Sequence, residues 1–320
     1  MDKTLSYFFA FLFLFFISWC ALVFGQVGRT TASSQWVFDV YAKKSAISKS
    51  IKEEKVIIVA GSNALFGCDS KMISEAFKKP VLNFGVNAGV LLPYTLYKAK
   101  EVINKGDTVL LPLEYPMYNY KGVPNSQMID YIFARDIDAF FTLSLKEKFY
   151  MLWDITLKRV YEGYTSKTSK PVKSGLYGAH NVDENGDQTG ATLQTKSKAI
   201  SAELDVLVAN KYGEKFDRDS LGFKYLKEFV SWCETKGAKC IFMPSTLMWF
   251  DSYKTDKKER WFYENIANVA RSKGWKYIGE PYKYMYDKSF YFNTDFHLVE
   301  SARKVRTTQM ILDLRSSQVH

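Results

Sequence analysis

The sequence predicts an α/β fold: a three-layer sandwich with a mostly parallel central sheet, one N-terminal transmembrane helix and a large insertion after strand three. Three observations predict it. Val56-Ile57-Ile58-Val59-Ala60 is a continuous, mostly β-branched apolar run that ends at Gly61-Ser62-Asn63, as expected of a strand buried on both faces. Asp69 to Lys79 spaces Met72, Ile73, Ala76 and Phe77 along one helix face and stops at Pro80. Val81 to Val86 is a second apolar run, leading into Gly85-Val86-Asn87-Ala88-Gly89. Strand, helix, strand in about thirty residues is a βαβ unit. It puts Ser62 and Gly85 at the carboxyl ends of neighbouring parallel strands, the edge where open α/β sheets bind ligands.

The remaining elements follow in order. Leu5 to Phe24 carries no charge, and twenty helical residues at about 1.5 Å each span a ~30 Å hydrocarbon core. A signal peptide would have a shorter apolar region and a small-x-small cleavage site, so the run is expected to be an uncleaved anchor. Lys3 lies on one side of it and Arg29 on the other, which leaves orientation open. Residues 25–54 read as a polar, partly helical stalk and 55–316 as the globular domain. Leu91 to Asn104 is expected as a helix and Thr108 to Leu113 as a third strand. Residues 118–215 interrupt the alternation, with a helical stretch over Ile129 to Val160 and a polar stretch over Gly163 to Thr192. Asp183-Glu184-Asn185-Gly186-Asp187 within it is a tight turn, since Asn-Gly tolerates positive φ. Alternation resumes with helix Ser220 to Lys236, strand Lys239 to Pro244, helix Asp256 to Lys273, strand Trp275 to Gly279 and a closing helix, Val299 to Leu314.

Composition narrows the function. The chain has 320 residues, 47% of them hydrophobic, and a net charge of +10, enough to bury a large core. Its basic residues are scattered, without an arginine-rich stripe or nucleic-acid motif, so no nucleic-acid partner is expected. Aromatics make up 16% of residues, filling a core or lining a sugar groove. Of four cysteines, Cys233 and Cys240 flank a helix-to-strand turn, and either a disulfide or two free thiols fits them. No zinc spacing is present, and neither a metal nor a cofactor is expected.

Histidine supply is the sharpest chemical constraint: only His180, His297 and His320. A serine nucleophile needs a base within hydrogen-bond reach and a group that orients that base. His297 follows the last strand position and returns to the edge of Ser62, and Asp295 is close enough in sequence to orient it. The same Asn293-Thr294-Asp295 segment would also serve as a helix cap. Gly61-Ser62-Asn63 alone would suit a phosphate at a helix N-terminus, but the Lys-Ser/Thr of a P-loop is missing. A Gly85 amide, the Asn87 side chain and the Ser62 amide would make an oxyanion hole.

Taken together, Gly61-Ser62-Asn63, Gly85 in Asn83-Phe84-Gly85-Val86-Asn87, and Asp295-Phe296-His297 resemble the blocks of the SGNH (GDSL-like) hydrolase superfamily, whose sheet is flavodoxin-like. The Gly-Ser-Asn and Asp-x-His variants are similar to membrane-anchored polysaccharide O-acetylation proteins of the alginate type and, more distantly, to the D-alanyl-transfer protein of teichoic acid modification. The resemblance covers about Lys55 to Tyr115 and Lys239 to Leu314. It implies Ser62 as nucleophile, His297 as base, Asp295 as its orienting group, and Gly85, Asn87 and Asn63 as oxyanion or substrate-binding residues. It also implies a polysaccharide substrate, a membrane-embedded acyl-donor protein as partner, and an extracytoplasmic location. O-acetyltransferase and O-acetylesterase share the acyl-enzyme step and stay open. The third block departs from the pattern: Pro112-Leu113-Glu114-Tyr115 stands where a Gly-x-Asn is expected. That departure keeps alive a catalytically silent scaffold that binds glycan or assembles an export complex. A small-ester lipase is a third reading.

Overall fold

The computed structural model describes residues 3–166 and 170–317; His320 lies outside them. Two compact units divide the chain, Met1–Phe38 with Gly122–Pro171, and Asp39–Lys121 with Val172–His320. Helix α1 (Lys3–Phe24) opens the first unit, and α2 (Ala32–Ser50) carries the chain into the second. There follow β1 (Val56–Ile58), α3 (Ser62–Gly67), α4 (Ser70–Phe77), β2 (Val81–Asn83), α5 (Leu91–Ala99), β3 (Thr108–Leu111) and α6 (Tyr115–Tyr118). The chain returns to the first unit for α7 (Ser126–Arg135), α8 (Ile137–Thr142), α9 (Leu145–Trp153) and α10 (Leu157–Thr165). The second unit is completed by α11 (Lys198–Asp205), α12 (Leu221–Lys236), β4 (Lys239–Phe242), β5 (Leu247–Met248), α13 (Ser252–Thr255), α14 (Lys257–Ser272), β6 (Met285–Tyr286) and α15 (Glu300–Ser316).

The fold is α/β, with a four-stranded parallel sheet in the order β2-β1-β3-β4. Val56 pairs with Val81 on one side and Thr108 on the other. Ile57, Ile58, Val59, Val109, Leu110 and Leu111 are buried, which explains why these strands read as unbroken apolar runs. The expected strand Trp275 to Gly279 is reduced to one parallel bridge, Tyr277 to Phe242. Gly274 and Gly279, both at positive φ, bound it closely. Asp69 caps α4 by accepting from the Met72 amide at 3.0 Å, and Gly237 ends α12 at φ +80, the punctuation that the sequence predicts.

Within residues 25–54, expected as a polar and partly helical stalk, α2 is the helical part, and its Val40, Tyr41, Lys44 and Ser48 are buried in the second unit. Tyr41 packs against the rings of Phe84 and Tyr94. Within the span 118–215, Gly122–Pro171 belongs to the unit of α1 and Val172 onward to that of the sheet. The expected helix over Ile129 to Val160 is broken by Asp136, by the Ser144 to Glu147 capping box and by the Thr156 cap. Ser144 and Thr156 each offer a local side-chain hydrogen bond that competes with continuous helix, whereas Asp136 breaks it without a side-chain cap bond. Cys233 and Cys240 are free thiols, with that of Cys240 held protonated by its hydrogen bond to Cys233 and by burial.

At the start of the sheet, the ammonium of Lys55 meets Asp107 Oδ2 at 2.8 Å with both side chains inaccessible. Asp107 also accepts from the Lys55 and Asn104 amides, tying β1 to the turn before β3. Removing one member of a buried pair leaves the other charge uncompensated. Asp107→Ala is therefore expected to cost about 3–5 kcal/mol, read as a lowered midpoint in denaturant titration of the full chain.

Candidate functional site

Ser62 opens α3 at the carboxyl end of β1, with Gly61 at the cap. It is partly exposed, and among the described residues nothing bonds to its hydroxyl or its amide. The turn is held from beneath by Glu114, which follows β3 and is buried. Its carboxylate accepts from the Gly61 amide through Oε2 and the Asn63 amide through Oε1, both at 2.9 Å. A Cβ on Gly61 would lie 2.6 Å from Glu114 Oε1 and from the Ala88 nitrogen, so only glycine admits this approach.

Asn63 is structural. Its side-chain amide donates to Pro112 O at 2.9 Å, while its Oδ1 and backbone carbonyl accept from Arg306 of α15 at 2.9 and 2.8 Å. Asn63 has no exposed surface, where an oxyanion or substrate-binding side chain was expected. Gly85 is also spoken for: its amide donates to Asn83 Oδ1 at 3.0 Å and its carbonyl accepts from Lys44. Its value is the missing Cβ, which would lie 2.7 Å from Ala64 Cβ and Gly61 O. Asn87 caps the following turn through Oδ1, which accepts from the Gly89 amide at 2.8 Å, and its amide nitrogen has no partner among the described residues. Of the three expected oxyanion donors, the Ser62 amide and the Asn87 side chain are therefore uncommitted and Gly85 is not.

His297 comes to the same helix. Its ring stacks on Phe66 at 4.1 Å between centroids and 11° between planes. Phe66 lies one helical turn beyond Ser62, on the same face of α3. The structure gives His297 no hydrogen bond to Ser62. Nor does Asp295 orient it. The segment is a loop closed by the Phe292 amide on His297 O at 2.7 Å and by the Tyr291 to Leu298 bridge. Across it Asn293 Oδ1 meets His297 Nδ1 at 2.8 Å, and Asn293 Nδ2 donates to the Tyr177 hydroxyl at 3.0 Å. Asp295, near the loop tip, accepts instead from Asn210 Nδ2 at 2.9 Å. An amide oxygen only accepts, so the imidazole proton sits on Nδ1 and Nε2 keeps its lone pair.

Burial lowers His297 to about 3 and raises Asp295 to about 6. A second buried group lies behind Gly85. Asp187, from the expected Asn-Gly turn, accepts from the Ser70 amide at 2.6 Å, the Ser70 hydroxyl at 2.8 Å and Asn83 Nδ2 at 2.8 Å. Gly186 there has φ +90. Burial lifts Asp187 to about 6 and lowers Lys44 to about 7. Sequence reading missed Asn293, Glu114, Arg306 and this pair. Glu114 had a signal, as the residue that breaks the third block, and Asn293 lies four residues before His297.

No family model, curated protein or solved structure matches the chain.

The His297 shift sets a pH dependence. The unfolded chain protonates this residue near its ordinary value and the folded one only near 3, so between those limits the unfolded state binds more protons. Its contribution to stability is present above about 6.5 and is lost as pH falls toward 3. His297→Gln is expected to flatten the fall in stability between pH 6.5 and 4.5, read by denaturant midpoints at several pH values. Parallel curves for the two proteins would refute the assignment.

Proposed function

We propose that the chain is a membrane-anchored SGNH-like acyl-ester enzyme acting on an exported or cell-surface polysaccharide, as an O-acetyltransferase or O-acetylesterase. The sandwich and insertion of that superfamily, an acyl-donor partner and an extracytoplasmic domain belong to the same reading. One observation carries it: a serine whose hydroxyl has no partner among the described residues opens α3, and the ring of His297 stacks one turn along the same helix. Helix α1 supports the anchor, being the one described helix long and apolar enough to cross a membrane.

In this reading Ser62 Oγ attacks the ester carbonyl carbon and its proton passes to His297 Nε2. The oxyanion is held by the Ser62 amide and Asn87 Nδ2. Collapse breaks the bond to the leaving alkoxide, which takes the proton from His297. A sugar hydroxyl or water then attacks the acyl-serine by the same route in reverse. His297 must close on Ser62 when substrate binds, a tightening common to catalytic hydrogen bonds that are long in free enzymes. Asn293, in place of Asp295, holds the tautomer.

The silent scaffold keeps one specific support. The Gly61 and Asn63 amides, which would otherwise face an anion at the start of α3, are already filled by Glu114. Labelling of the detergent-solubilised chain with a fluorophosphonate separates the readings. Ser62→Ala should abolish labelling, His297→Ala should slow it roughly 10²-fold or more, and Asn293→Ala should slow it less. Asp295→Ala should leave it within a few-fold of wild type. Absence of labelling, with no acetyl ester released from acetylated glycan by the folded protein, would establish the scaffold.

A further inference from the structure

The first unit is built with charge inside and apolar surface outside. Asp130 and Arg159 are buried and paired, Arg159 Nε to Asp130 Oδ1 at 2.5 Å. Asp130 also accepts from the Thr31 and Ser33 hydroxyls at 2.7 Å. Glu147 on α9 is inaccessible. On the outside of α9 stand Leu145, Phe149 and Trp153, at i, i+4 and i+8, with Leu145 85% and Trp153 72% exposed. Leu157 and Tyr161 on α10 are likewise 74% and 69% exposed, and Phe141 on α8 is exposed too. Phe149 and Trp153 stack on each other at 6.0 Å. A surface helix in water places these residues the other way round, and apolar patches of this kind mark a partner.

The occupant follows from what the patch adjoins. Trp19 Nε1 donates to Leu152 O at 2.9 Å, and the Tyr164 hydroxyl to Leu22 O at 3.0 Å. Phe24 at the end of α1 packs edge-on against Phe133 and Phe140. Arg159 also binds Gln26 Oε1 at 2.8 Å, just past that end. Trp19 is five residues before the end of α1, about 7.5 Å along the axis. If α1 crosses a bilayer, the backbone of α9 is therefore held at the depth where headgroups meet acyl chains. Trp, Tyr and Phe with Lys146, Lys148 and Lys158 at their flanks are the composition of helices that lie at that boundary. A protein cover would have to occupy the same depth, beside the lipid-facing surface of α1.

We propose that α8, α9 and α10 lie in the headgroup–acyl boundary of the membrane crossed by α1, with Phe141, Leu145, Phe149, Trp153, Leu157 and Tyr161 in lipid. The proposal rests on α1 being the anchor, so its test reads both. The full chain, with the partly exposed Cys20 and Cys240 replaced by alanine, is reconstituted in phosphatidylcholine nanodiscs. An environment-sensitive fluorophore is attached in turn to Phe149→Cys, Trp153→Cys, Phe13→Cys within α1, and Lys227→Cys on the exposed face of α12. Quenching by doxyl-labelled phosphatidylcholine and by aqueous iodide is then compared. The expected result is lipid quenching at 149 and 153 several-fold above that at 227, with correspondingly weaker iodide quenching. Iodide access equal to that at 227, with position 13 still lipid-quenched, would show that the patch faces water and overturn the proposal. Shielding of 149 and 153 from both quenchers would show a protein cover and overturn it equally. Loss of lipid quenching at position 13 as well would overturn the anchor and the proposal together.

Discussion

The carboxyl edge of the sheet depends on the carboxylate of Glu114. Coming off β3, it reaches the amides of Gly61 and Asn63 at the end of β1 and fixes the turn that presents Ser62. Charge-assisted bonds of this length are strong, and a buried carboxylate tolerates nothing less than full pairing. Gly61 has to be glycine because Glu114 and Ala88 close on it. Asn63, once its amide is captured, turns its side chain inward to Pro112 and Arg306. The outward position in Gly61-Ser62-Asn63 is then left to Ser62.

Arg306 extends the same constraint to the far end of the chain. Fully buried on α15, it binds both oxygens of Asn63 and lies so near Gly67 that a Cβ there would meet its guanidinium at 2.3 Å. The loop bearing His297 leads directly into α15, so that loop is tied to α3 by polar contacts as well as by the Phe66 stack. On the other side, Asp187 ties the Asn-Gly turn to Ser70 and Asn83. Buried charges of this kind specify one arrangement more than they add net stability. They spread the site over segments far apart in sequence.

What could be read from the sequence divides along that line. The strands were legible because Val56 to Ala60, Val81 to Leu82 and Val109 to Leu111 are buried on both faces and leave an unbroken apolar signature. Most helix ends were legible from Asp69, Ser220, Asp256 and Gly237, whose effect is local. The fifth strand was overestimated because backbone pairing depends on a neighbour that the run itself does not reveal. Lys44 looked like part of a solvated linker, since a lysine signals exposure unless its partner is known, and its acceptor, the Gly85 carbonyl, lies 41 residues away. Asp295 was chosen for its place two residues before His297. The loop closure between Phe292 and His297 decides the matter by geometry instead, and that closure has no signature in composition.

The exchange of Asp295 for Asn293 has a chemical consequence. A carboxylate on Nδ1 both holds the tautomer and stabilises the imidazolium that forms as the serine loses its proton. An amide oxygen does the first and contributes little to the second. Burial against Phe66 works in the same direction, since it disfavours the cation and lowers His297 to about 3. If His297 serves Ser62, the positive charge it gains must be offset largely by the oxyanion forming beside it, in a site from which water is excluded. The two uncommitted donors, the Ser62 amide and Asn87 Nδ2, then determine whether the ion pair is affordable, because Glu114 has already taken the others. Catalysis and silence would differ by where one carboxylate rests, and the same contact that shapes the turn also limits what the turn can bind.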